Sequence, residues 1–438
     1  MKSKFKIFIG LVVLALIVVS CAPAAPVEPE EPAAPVEVEE PEAEVEEPEE
    51  VEEPEAEVEV IRIGVSQPLS GPDGRYGEVI VPAYEYAVKQ VNESGGIQSM
   101  GGAQLEIVWS DHQSSAEVAI SEMERLVEQE GVSVIAGANL SGIVLASTTA
   151  TERLQIPYVV DVPAHADITL RGFEYVFRTN VSAAWYGFTF AEFMNYLNAE
   201  YNTEIQNVAI AYRDVEFPTS VQDAVNERAL EAGFDVVFKE AYPADAPDLT
   251  TYGTRVREAG PDVISVADNS VAFATLWSTT LRDLAINPDL IITSNGAYEF
   301  AEWYDEVGDP VRDGWALIVQ WNGDLADPAL AGDYAAFTNQ PLNGHSLLSM
   351  QAVYAIAEAL EIAGSSEPQA IRDALAELRI EPGPRLVMPW AYLEYDETGQ
   401  NTGAQNVVVQ WQDGQLVTVY PPEFANAEPI VPFDYWQR

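Results

Sequence analysis

The sequence of 438 residues contains a single cysteine, Cys21, which stands close to the N-terminus. Because there is no second cysteine, the chain cannot form an intramolecular disulfide bond. Cys21 therefore has no structural partner. Its position between an apolar segment and a run rich in proline and glutamate requires another explanation.

Basic residues are also scarce, with 21 Lys and Arg against 71 Asp and Glu. Residues 61–438 alone contain 18 basic and 54 acidic residues, which gives this part a formal charge of −36. Nucleic acids and anionic membrane surfaces are bound through basic faces, so neither is predicted as a partner. The acidity alone does not identify a ligand.

Residues typical of metal sites and enzymes are missing as well. The three histidines, His112, His165 and His345, have no close His or Cys neighbour, so no metal site is predicted. The chain lacks G-x-S-x-G, H-E-x-x-H, G-x-G-x-x-G and the Gly-Lys-Ser/Thr phosphate loop. We predict no cofactor and no catalytic residue, and a secreted hydrolase is the least favoured alternative.

The apolar run of residues 7–19 is shorter than the roughly 20 residues of a membrane-spanning helix. Three lysines precede it and small residues end it, which is the pattern of a secretory signal. The ending Val18-Val19-Ser20-Cys21 resembles the bacterial lipobox, whose cysteine is acylated and becomes the mature N-terminus. We therefore predict a lipoprotein signal peptide over residues 1–21 with lipidation at Cys21. An uncleaved signal-anchor is the alternative.

Residues 22–60 contain 17 Glu and 8 Pro without any Lys or Arg. Such a segment buries too little apolar surface to fold, and its charges repel one another. It is predicted to be a disordered linker. A spacer that holds a domain away from a membrane and low-complexity filler both fit this composition.

From residue 61 onwards, short β-branched runs alternate with helix-like segments. The first set of predicted strands is 61–69, 104–111, 132–138 and 156–162, with helices over 79–92, 116–129 and 141–154. The second set is 207–212, 235–242, 262–268 and 290–296, with helices over 219–232, 249–259 and 270–285. Strands that alternate with helices predict βαβ units and a parallel sheet.

The C-terminal part has a different pattern. A strand over 315–321 precedes helices over 345–363 and 367–379, and a final hairpin has Asp413-Gly414 as its turn. A chain that completes two α/β lobes and then adds further elements is expected to cross between the lobes again. The predicted fold class is α/β, with two doubly wound parallel-sheet lobes joined by a multi-strand hinge that allows them to clasp a ligand.

Several segments in a fixed order carry a resemblance to a known family. QPLSGPDGRYG follows the first strand, VNESGGI closes the first helix, and DITLRGFEYVFRTN precedes the change of lobe. Together with YDETGQN and the terminal hairpin, they resemble the branched-chain amino acid binding proteins, the type I periplasmic substrate-binding components of ABC importers. The resemblance covers essentially all of residues 61–438.

The resemblance implies that residues 61–181 and 319–388 form lobe one, and that residues 182–318 and 389–438 form lobe two. It implies a monomeric, lipid-anchored, extracytoplasmic receptor that delivers a small solute to an ABC permease in the membrane. The expected solute is an amino acid, with branched-chain amino acids first, or a related amide or carboxylate. A ligand sensor that is not coupled to transport is the alternative.

The ligand is expected beyond the carboxyl ends of the strands, where lobe one provides Asn139 and Ser141. Ser141 opens a helix, so its hydroxyl and the free N–H groups can bind a carboxylate, as a serine does in relatives. An ordinary helix cap is the alternative. Ala164 stands where the family usually has a hydroxyl residue, and its neighbour His165 could replace that residue or face solvent.

Two aromatic residues match aromatic residues that line the pocket in the family. Tyr76 lies in GRYG and Phe217 in RDVEFP, and a packing role is the alternative for both. Trp185 and Tyr298 are weaker candidates, for which packing in the core or hinge is favoured.

One position of the predicted site departs from the family, namely the partner of a ligand ammonium group. The family has an acidic residue where this chain has the neutral Asn295. Asp268 ends the neighbouring strand, so we expect it to replace that acid and to face Ser141 across the cleft. Helix capping by Asp268 is the alternative, and an amide or simple carboxylate ligand would need no such partner.

Overall fold

The computed structural model of this chain describes residues 59–308 and 313–435. The predicted signal peptide, the predicted lipidation site Cys21 and residues 22–58 of the predicted linker lie outside the described residues.

The first sheet is built from residues 60–178. Its elements are β1 (Val60–Gln67), α1 (Gly74–Glu93), β2 (Gln104–Asp111), α2 (Ala116–Glu128), β3 (Val134–Gly137), α3 (Ser141–Leu154), β4 (Tyr158–Val160), α4 (Asp167–Leu170) and β5 (Val176–Arg178). All neighbouring strands are parallel, in the order β2-β1-β3-β4-β5. Every residue of β3, β4 and β5 is buried, as expected for strands of a parallel sheet that is covered on both faces.

A second sheet follows. Its elements are α5 (Ala183–Glu200), β6 (Asn207–Arg213), α6 (Glu216–Glu231), β7 (Asp235–Tyr242), α7 (Thr250–Ala259), β8 (Val263–Asp268), α8 (Val271–Asp283), β9 (Leu290–Gly296), α9 (Ala301–Val307) and β10 (Ala316–Val319). The chain then forms α10 (Pro328–Thr338), α11 (Gly344–Ala363), α12 (Pro368–Ala376), β11 (Arg379–Ile380), β12 (Leu393–Glu394), β13 (Val407–Gln412) and β14 (Gln415–Tyr420).

The second sheet has seven strands in the order β14-β13-β10-β9-β8-β6-β7. The strands β6 to β10 are parallel, whereas β13 and β14 add an antiparallel edge. The predicted hairpin is confirmed, because Asp413 and Gly414 connect β13 to β14 with φ angles of 50° and 83°. Positive φ at both positions is what a two-residue hairpin turn requires. The predicted α/β class with two sheets is likewise confirmed.

The late helices return to the first sheet. α11 packs against α1, and Gln351 of α11 both donates to the carbonyl oxygen of Arg385 and accepts from the N–H of Val387. Among the described residues, α11 is the one helix long and apolar enough to cross a membrane. Because 78% of that apolar window is buried inside the protein, its composition is explained by its place in the core.

Two of the segments that connect the sheets run side by side. The N–H of Arg178, at the end of β5, donates to the carbonyl oxygen of Gly399. In return, the carbonyl oxygen of Arg178 accepts from the N–H of Asn401. The guanidinium of Arg178 is fully buried and donates to the side chain of Gln400 at 2.7 Å. These bonds join the first and the last connection between the sheets.

The helix α1 begins at Gly74, five residues before the predicted start at Val79. Glycine is unfavourable in helices, and this stretch contains two. Pro82 cannot donate the backbone hydrogen bond that the carbonyl oxygen of Glu78 needs. The side chain of Gln340 donates to that oxygen instead, at 3.2 Å. Gly77 is required here, because a Cβ atom would lie 2.5 Å from the carbonyl oxygen of Pro68.

Candidate ligand-binding site

Segments that follow strands of both sheets enclose a cleft. A cavity of about 710 Å³ is lined by residues after β1, β3, β6 and β8, and a smaller inner cavity of about 40 Å³ adjoins it. The residues that line both cavities are Tyr76, Leu140, Ser141, Phe217 and Asn269. In open α/β sheets, ligands bind at this end of the strands.

Ser141 and Asn139 provide unsatisfied polar groups in the inner cavity. Ser141 is the first residue of α3 and is 4% exposed, and Asn139 is 7% exposed in the loop between β3 and α3. Neither the hydroxyl of Ser141 nor the side-chain oxygen of Asn139 has a hydrogen-bond partner among the described residues. Buried polar groups are normally paired, so these two atoms point to a ligand or an ordered water.

Aromatic rings form the walls of the inner cavity. Tyr76 in α1 donates from its hydroxyl to the backbone carbonyl oxygen of Asn269 at 3.0 Å, and burial raises the pKa of this tyrosine. Phe217 in α6 is edge-on to Tyr186 in α5, with ring centroids 6.0 Å apart. The ring of Tyr76 comes from a helix beside the first sheet, and the ring of Phe217 comes from a helix beside the second sheet. The two rings can therefore contact an apolar ligand from opposite sides.

His345 closes the inner cavity from the start of α11. It is buried, its ring lies 5.2 Å from that of Tyr76, and its Nδ1 atom lies 3.0 Å from Oε1 of Glu299. From the sequence, His345 is considered only as a possible metal ligand. In the described part of the chain no three His, Cys, Asp or Glu side chains are grouped to hold a metal ion.

Two arginines line the larger cavity. Arg75 pairs with Glu302 and lies over the ring of Phe300, with its guanidinium carbon 4.4 Å from the ring centroid. Arg213, at the end of β6, donates twice to the carbonyl oxygen of Ala244 and once to the side chain of Asn269. Both side chains are thus anchored by neighbours rather than standing free in the cavity.

The sequence profile of the periplasmic binding protein family matches residues 60–415 of this chain. This stretch is more than three quarters of the sequence and includes all the residues that line the cleft. The chain belongs to the periplasmic binding protein family.

Individual relatives agree with this assignment. Leu/Ile/Val-binding protein homolog 7 of Brucella suis biovar 1 (strain 1330) is 30% identical over 384 residues, which cover 85% of this chain and 94% of that protein. A leucine binding protein of Thermotoga maritima MSB8 has a TM-score of 0.71 at 19% identity, covering 83% of this chain and 99% of that structure. A solute binding protein of an ABC transporter from R. palustris, in complex with 4-hydroxybenzoate, has a TM-score of 0.68 at 18% identity, covering 86% and 98%. The predicted type I periplasmic binding protein fold is confirmed.

In this periplasmic binding protein, four of the predicted site residues lie together. Tyr76, Asn139, Ser141 and Phe217 all line the inner cavity. The structure does not bring the other lobe-one candidates to the lining. Ala164 is fully buried, with its carbonyl oxygen accepting from the N–H of Ala183, and the neighbouring residues Val162 and Pro163 line the cavity instead.

His165 is half-buried and faces the protein rather than the cleft. Its Nδ1 atom accepts from the N–H of Asp167, and its carbonyl oxygen accepts from the guanidinium of Arg178 at 2.6 Å. Burial lowers the pKa of the His165 imidazole. These contacts are those of a histidine that organises the α4 turn, and they leave the position of Ala164 without a replacement hydroxyl.

Asp268 is fully buried below the cleft and is absent from the lining of both cavities. It accepts from the hydroxyl of Tyr242 at 2.8 Å and from the N–H of Ser270 at 2.8 Å, with Arg213 3.8 Å away. Burial raises its pKa to about 6. The expectation that Asp268 faces Ser141 is therefore corrected, because this carboxylate is already bound by Tyr242 and by the N–H of Ser270. The neighbouring Asn269 lines the cleft instead.

The remaining candidates fall into three cases. Asn295 is in β9, and its side chain lies outside what the structure describes. Tyr298 is fully buried between Trp303 and Trp315 and is a core residue. Trp185 is partly exposed on α5, with its ring 5.8 Å from that of Phe188. Neither Tyr298 nor Trp185 lines the cleft.

Proposed function

We propose that this periplasmic binding protein is the extracytoplasmic solute-binding component of an ABC importer and clasps an amino acid between its lobes. The observation that carries the proposal is the buried, unpaired hydroxyl of Ser141 at the first residue of α3. Together with the free N–H groups of the helix start, this hydroxyl suits a carboxylate. The opposite wall of the cleft comes from the second sheet, so closure would enclose a ligand bound at Ser141.

Branched-chain amino acids are the first candidates for the ligand. The Brucella suis relative is named as a Leu/Ile/Val-binding protein homolog, and the Thermotoga maritima structure is of a leucine binding protein. The aromatic wall of Tyr76, Tyr186 and Phe217 would contact an apolar side chain next to the carboxylate. Burying such a side chain contributes roughly 1.5–3 kcal/mol.

A carboxylate without an amino group is the second candidate. None of the residues that line the inner cavity is Asp or Glu, so nothing there offers a negative charge to an ammonium group. The R. palustris structure contains 4-hydroxybenzoate, which is such a carboxylate. Whether the site can bind the amino group of a ligand therefore distinguishes amino acids from simple carboxylates as ligands.

We infer further that Cys21 carries the lipid anchor, that residues 22–60 act as a spacer, and that the protein works as a monomer beside its permease. Lobe one is proposed to contain residues 61–181 and 319–388, and lobe two residues 182–318 and 389–438. One of these boundaries is revised: because β12 pairs with β11, we propose that the second segment of lobe one continues from residue 388 to the end of β12, and that lobe two resumes after it.

A ligand screen on the purified full-length protein tests the solute-binding function. Leucine, isoleucine, valine, other amino acids, amides and small carboxylates including 4-hydroxybenzoate would be compared by thermal shift, with stoichiometry from calorimetry. A ligand at a hundredfold excess over its Kd should stabilise the fold by about 2.7 kcal/mol. If no compound moves the melting curve, the proposal of a small-solute receptor is wrong.

The compound that binds in this screen can then distinguish an importer component from a sensor and from a hydrolase. An importer component should be required for uptake of the radiolabelled ligand by intact cells, whereas a sensor should leave uptake unchanged when it is deleted. A hydrolase should convert the compound instead of returning it intact from the complex, which mass spectrometry detects.

A further inference from the structure

One acidic side chain in the cleft lies beside the proposed carboxylate site. Glu216 is the first residue of α6 and lines the larger cavity. A Cβ atom placed on Gly142 would lie 3.0 Å from Oε2 and 3.2 Å from Oε1 of Glu216. Because Gly142 directly follows Ser141, the carboxylate of Glu216 reaches from the second sheet to the N-terminus of α3.

The carboxylate of Glu216 forms no ion pair with a Lys or Arg side chain of the described residues, and the residue is exposed in the open part of the cleft. Its charge acts on the imidazole of His165, whose pKa is lowered by burial. Two of the other acidic residues of the cavity are engaged, since Glu302 pairs with Arg75 and Glu306 accepts from the hydroxyl of Thr275, whereas Asp73 has no described ion pair. Glu216 is therefore free to bind a positive group on a ligand.

Two carboxylates cannot approach so closely without a cation between them, because like charges a few ångströms apart repel one another. A ligand carboxylate at Ser141 would meet this repulsion from Glu216. An α-amino acid carries its ammonium group two bonds from its carboxylate carbon, so one ligand can satisfy both Ser141 and Glu216. A simple carboxylate bound at Ser141 can satisfy only one of them.

We propose that Glu216 binds the α-ammonium group of the ligand and thereby selects α-amino acids over carboxylates that lack an amino group. The proposal rests on the solute-binding function proposed above and names the ligand class of that site. Glu216 thus takes the role that the sequence suggested for Asp268. The two residues lie at the carboxyl ends of β6 and β8 respectively, but only Glu216 lines the cavity.

Paired ligands and matched variants test this role. Calorimetry on the full-length protein would compare leucine with 4-methylpentanoate, which is leucine without its amino group. Glu216→Gln should weaken leucine binding about 30-fold or more, because closure of the cleft around leucine would desolvate the pair of its ammonium group with Glu216. Binding of 4-methylpentanoate should be unchanged or tighter, and Glu216→Asp should keep part of the leucine affinity because the charge remains.

The control variant is Glu231→Gln, at the other end of α6, where the carboxylate pairs with Arg228. It should bind leucine like the parent, and an unchanged melting temperature would show that Glu216→Gln also folds. Asp73→Asn tests the other acidic residue of the cavity without a described ion pair. If Asp73→Asn abolishes leucine binding while Glu216→Gln does not, the assignment to Glu216 is wrong.

Two further outcomes separate this inference from the solute-binding function. If the parent binds 4-methylpentanoate as tightly as leucine, the selection for an amino group is overturned while the solute-binding function stands. If Glu216→Gln binds both compounds more tightly, Glu216 is a competitor for the N-terminus of α3, and its assigned role is again overturned. If neither these compounds nor any other in the screen binds the parent, the solute-binding function itself fails.

Discussion

The hydroxyl of Tyr76 donates a 3.0 Å hydrogen bond to the backbone carbonyl oxygen of Asn269. Tyr76 lies in the first turn of α1 and Asn269 directly follows β8, so the bond joins elements of different sheets. The same tyrosine ring lines both cavities and is edge-on to Phe300, with centroids 5.6 Å apart. Tyr76 therefore forms a wall of the cleft and holds its two sides together.

Tyr76→Phe should weaken ligand binding without removing the aromatic wall. One net hydrogen bond contributes about 0.5–1.5 kcal/mol, so the Kd should rise about 2- to 12-fold. Small-angle scattering of the liganded protein should show less compaction than in the parent. Tyr86→Phe is the control, because this residue of α1 packs on Tyr334 and Phe337 away from the cleft. Equal affinities of Tyr76→Phe and the parent would contradict the role of this bond.

Ser141→Ala should reduce the affinity for every carboxylate ligand by about 1–3 kcal/mol, because the backbone donors of the α3 N-terminus remain. The loss should be the same for a ligand with an amino group and for one without it. Ser147→Ala in the same helix is the control, since its hydroxyl donates to the carbonyl oxygen of Ile143 and not to the cleft. Calorimetry measures both variants. An unchanged affinity in Ser141→Ala would contradict the role of this hydroxyl in binding the ligand carboxylate.

Cys21→Ala should release the protein from the membrane while its ligand affinity stays the same. Cys21 is the only thiol, so no other residue can be acylated in its place at the lipobox. Detergent-phase partitioning of cell extracts measures retention, and calorimetry on the released protein measures binding. Retention of the variant in the detergent phase would contradict lipid anchoring at Cys21.

Much of the fold could be predicted from the sequence because buried parallel strands appear as short apolar runs. The start of α1 was missed because its glycines and Pro82 resemble a loop, and the compensating bond from Gln340 comes from a distant part of the chain. The helix α10 was missed although a local signal was present. Asp327 caps its first turn and Pro328 is its first residue, which is a common helix start.

The site could be predicted only where local structure determines it. Ser141 follows a strand and opens a helix, and both features can be read from neighbouring residues. Glu216 reaches the N-terminus of α3, and His345 reaches the inner cavity, only because of how the second sheet and α11 lie against the first sheet. Local sequence patterns do not determine that arrangement. Asp268 was misplaced because successive strand residues face opposite sides, and the irregular register between Val266 and Asp268 changes that alternation.

Arg178 should be essential for stability. Its guanidinium is buried and donates to the carbonyl oxygen of His165, to Gln400 and to Thr169, and burial lowers its pKa to about 9. Arg178→Ala leaves these acceptors buried and unpaired, so the free energy of unfolding should fall by about 3 kcal/mol or more. Urea denaturation measures this loss. The control Arg372→Ala removes a more exposed guanidinium, and its free energy of unfolding should fall by less than about 1 kcal/mol. An equal fall in both variants would contradict the stabilising role of the buried Arg178.

Asp268 should make the stability of the protein depend on pH in a direction opposite to that of a paired surface carboxylate. Burial raises its pKa from 3.8 to about 6, so between these values the folded state binds more protons than the unfolded state. The free energy of unfolding should therefore fall as pH rises from about 4 to about 6, by up to about 3 kcal/mol from this group. The contribution is fully present below the unfolded pKa and is lost as pH passes the folded pKa.

Asp268→Asn removes this titration and keeps one of the two acceptor oxygens. Its amide oxygen can accept from the N–H of Ser270, and its NH2 group can donate to the hydroxyl oxygen of Tyr242. Relative to the parent, the variant should gain stability steadily between pH 4 and pH 7 in urea denaturation. Its leucine affinity should stay within about threefold of the parent, because the carboxylate does not line the cleft. Asp283→Asn, at the exposed end of α8, should follow the pH dependence of the parent. If the difference in free energy of unfolding between Asp268→Asn and the parent stays constant across this range, the pKa of Asp268 is not raised in the folded protein. The carboxylate would then be as well stabilised by its neighbours in the protein as by water.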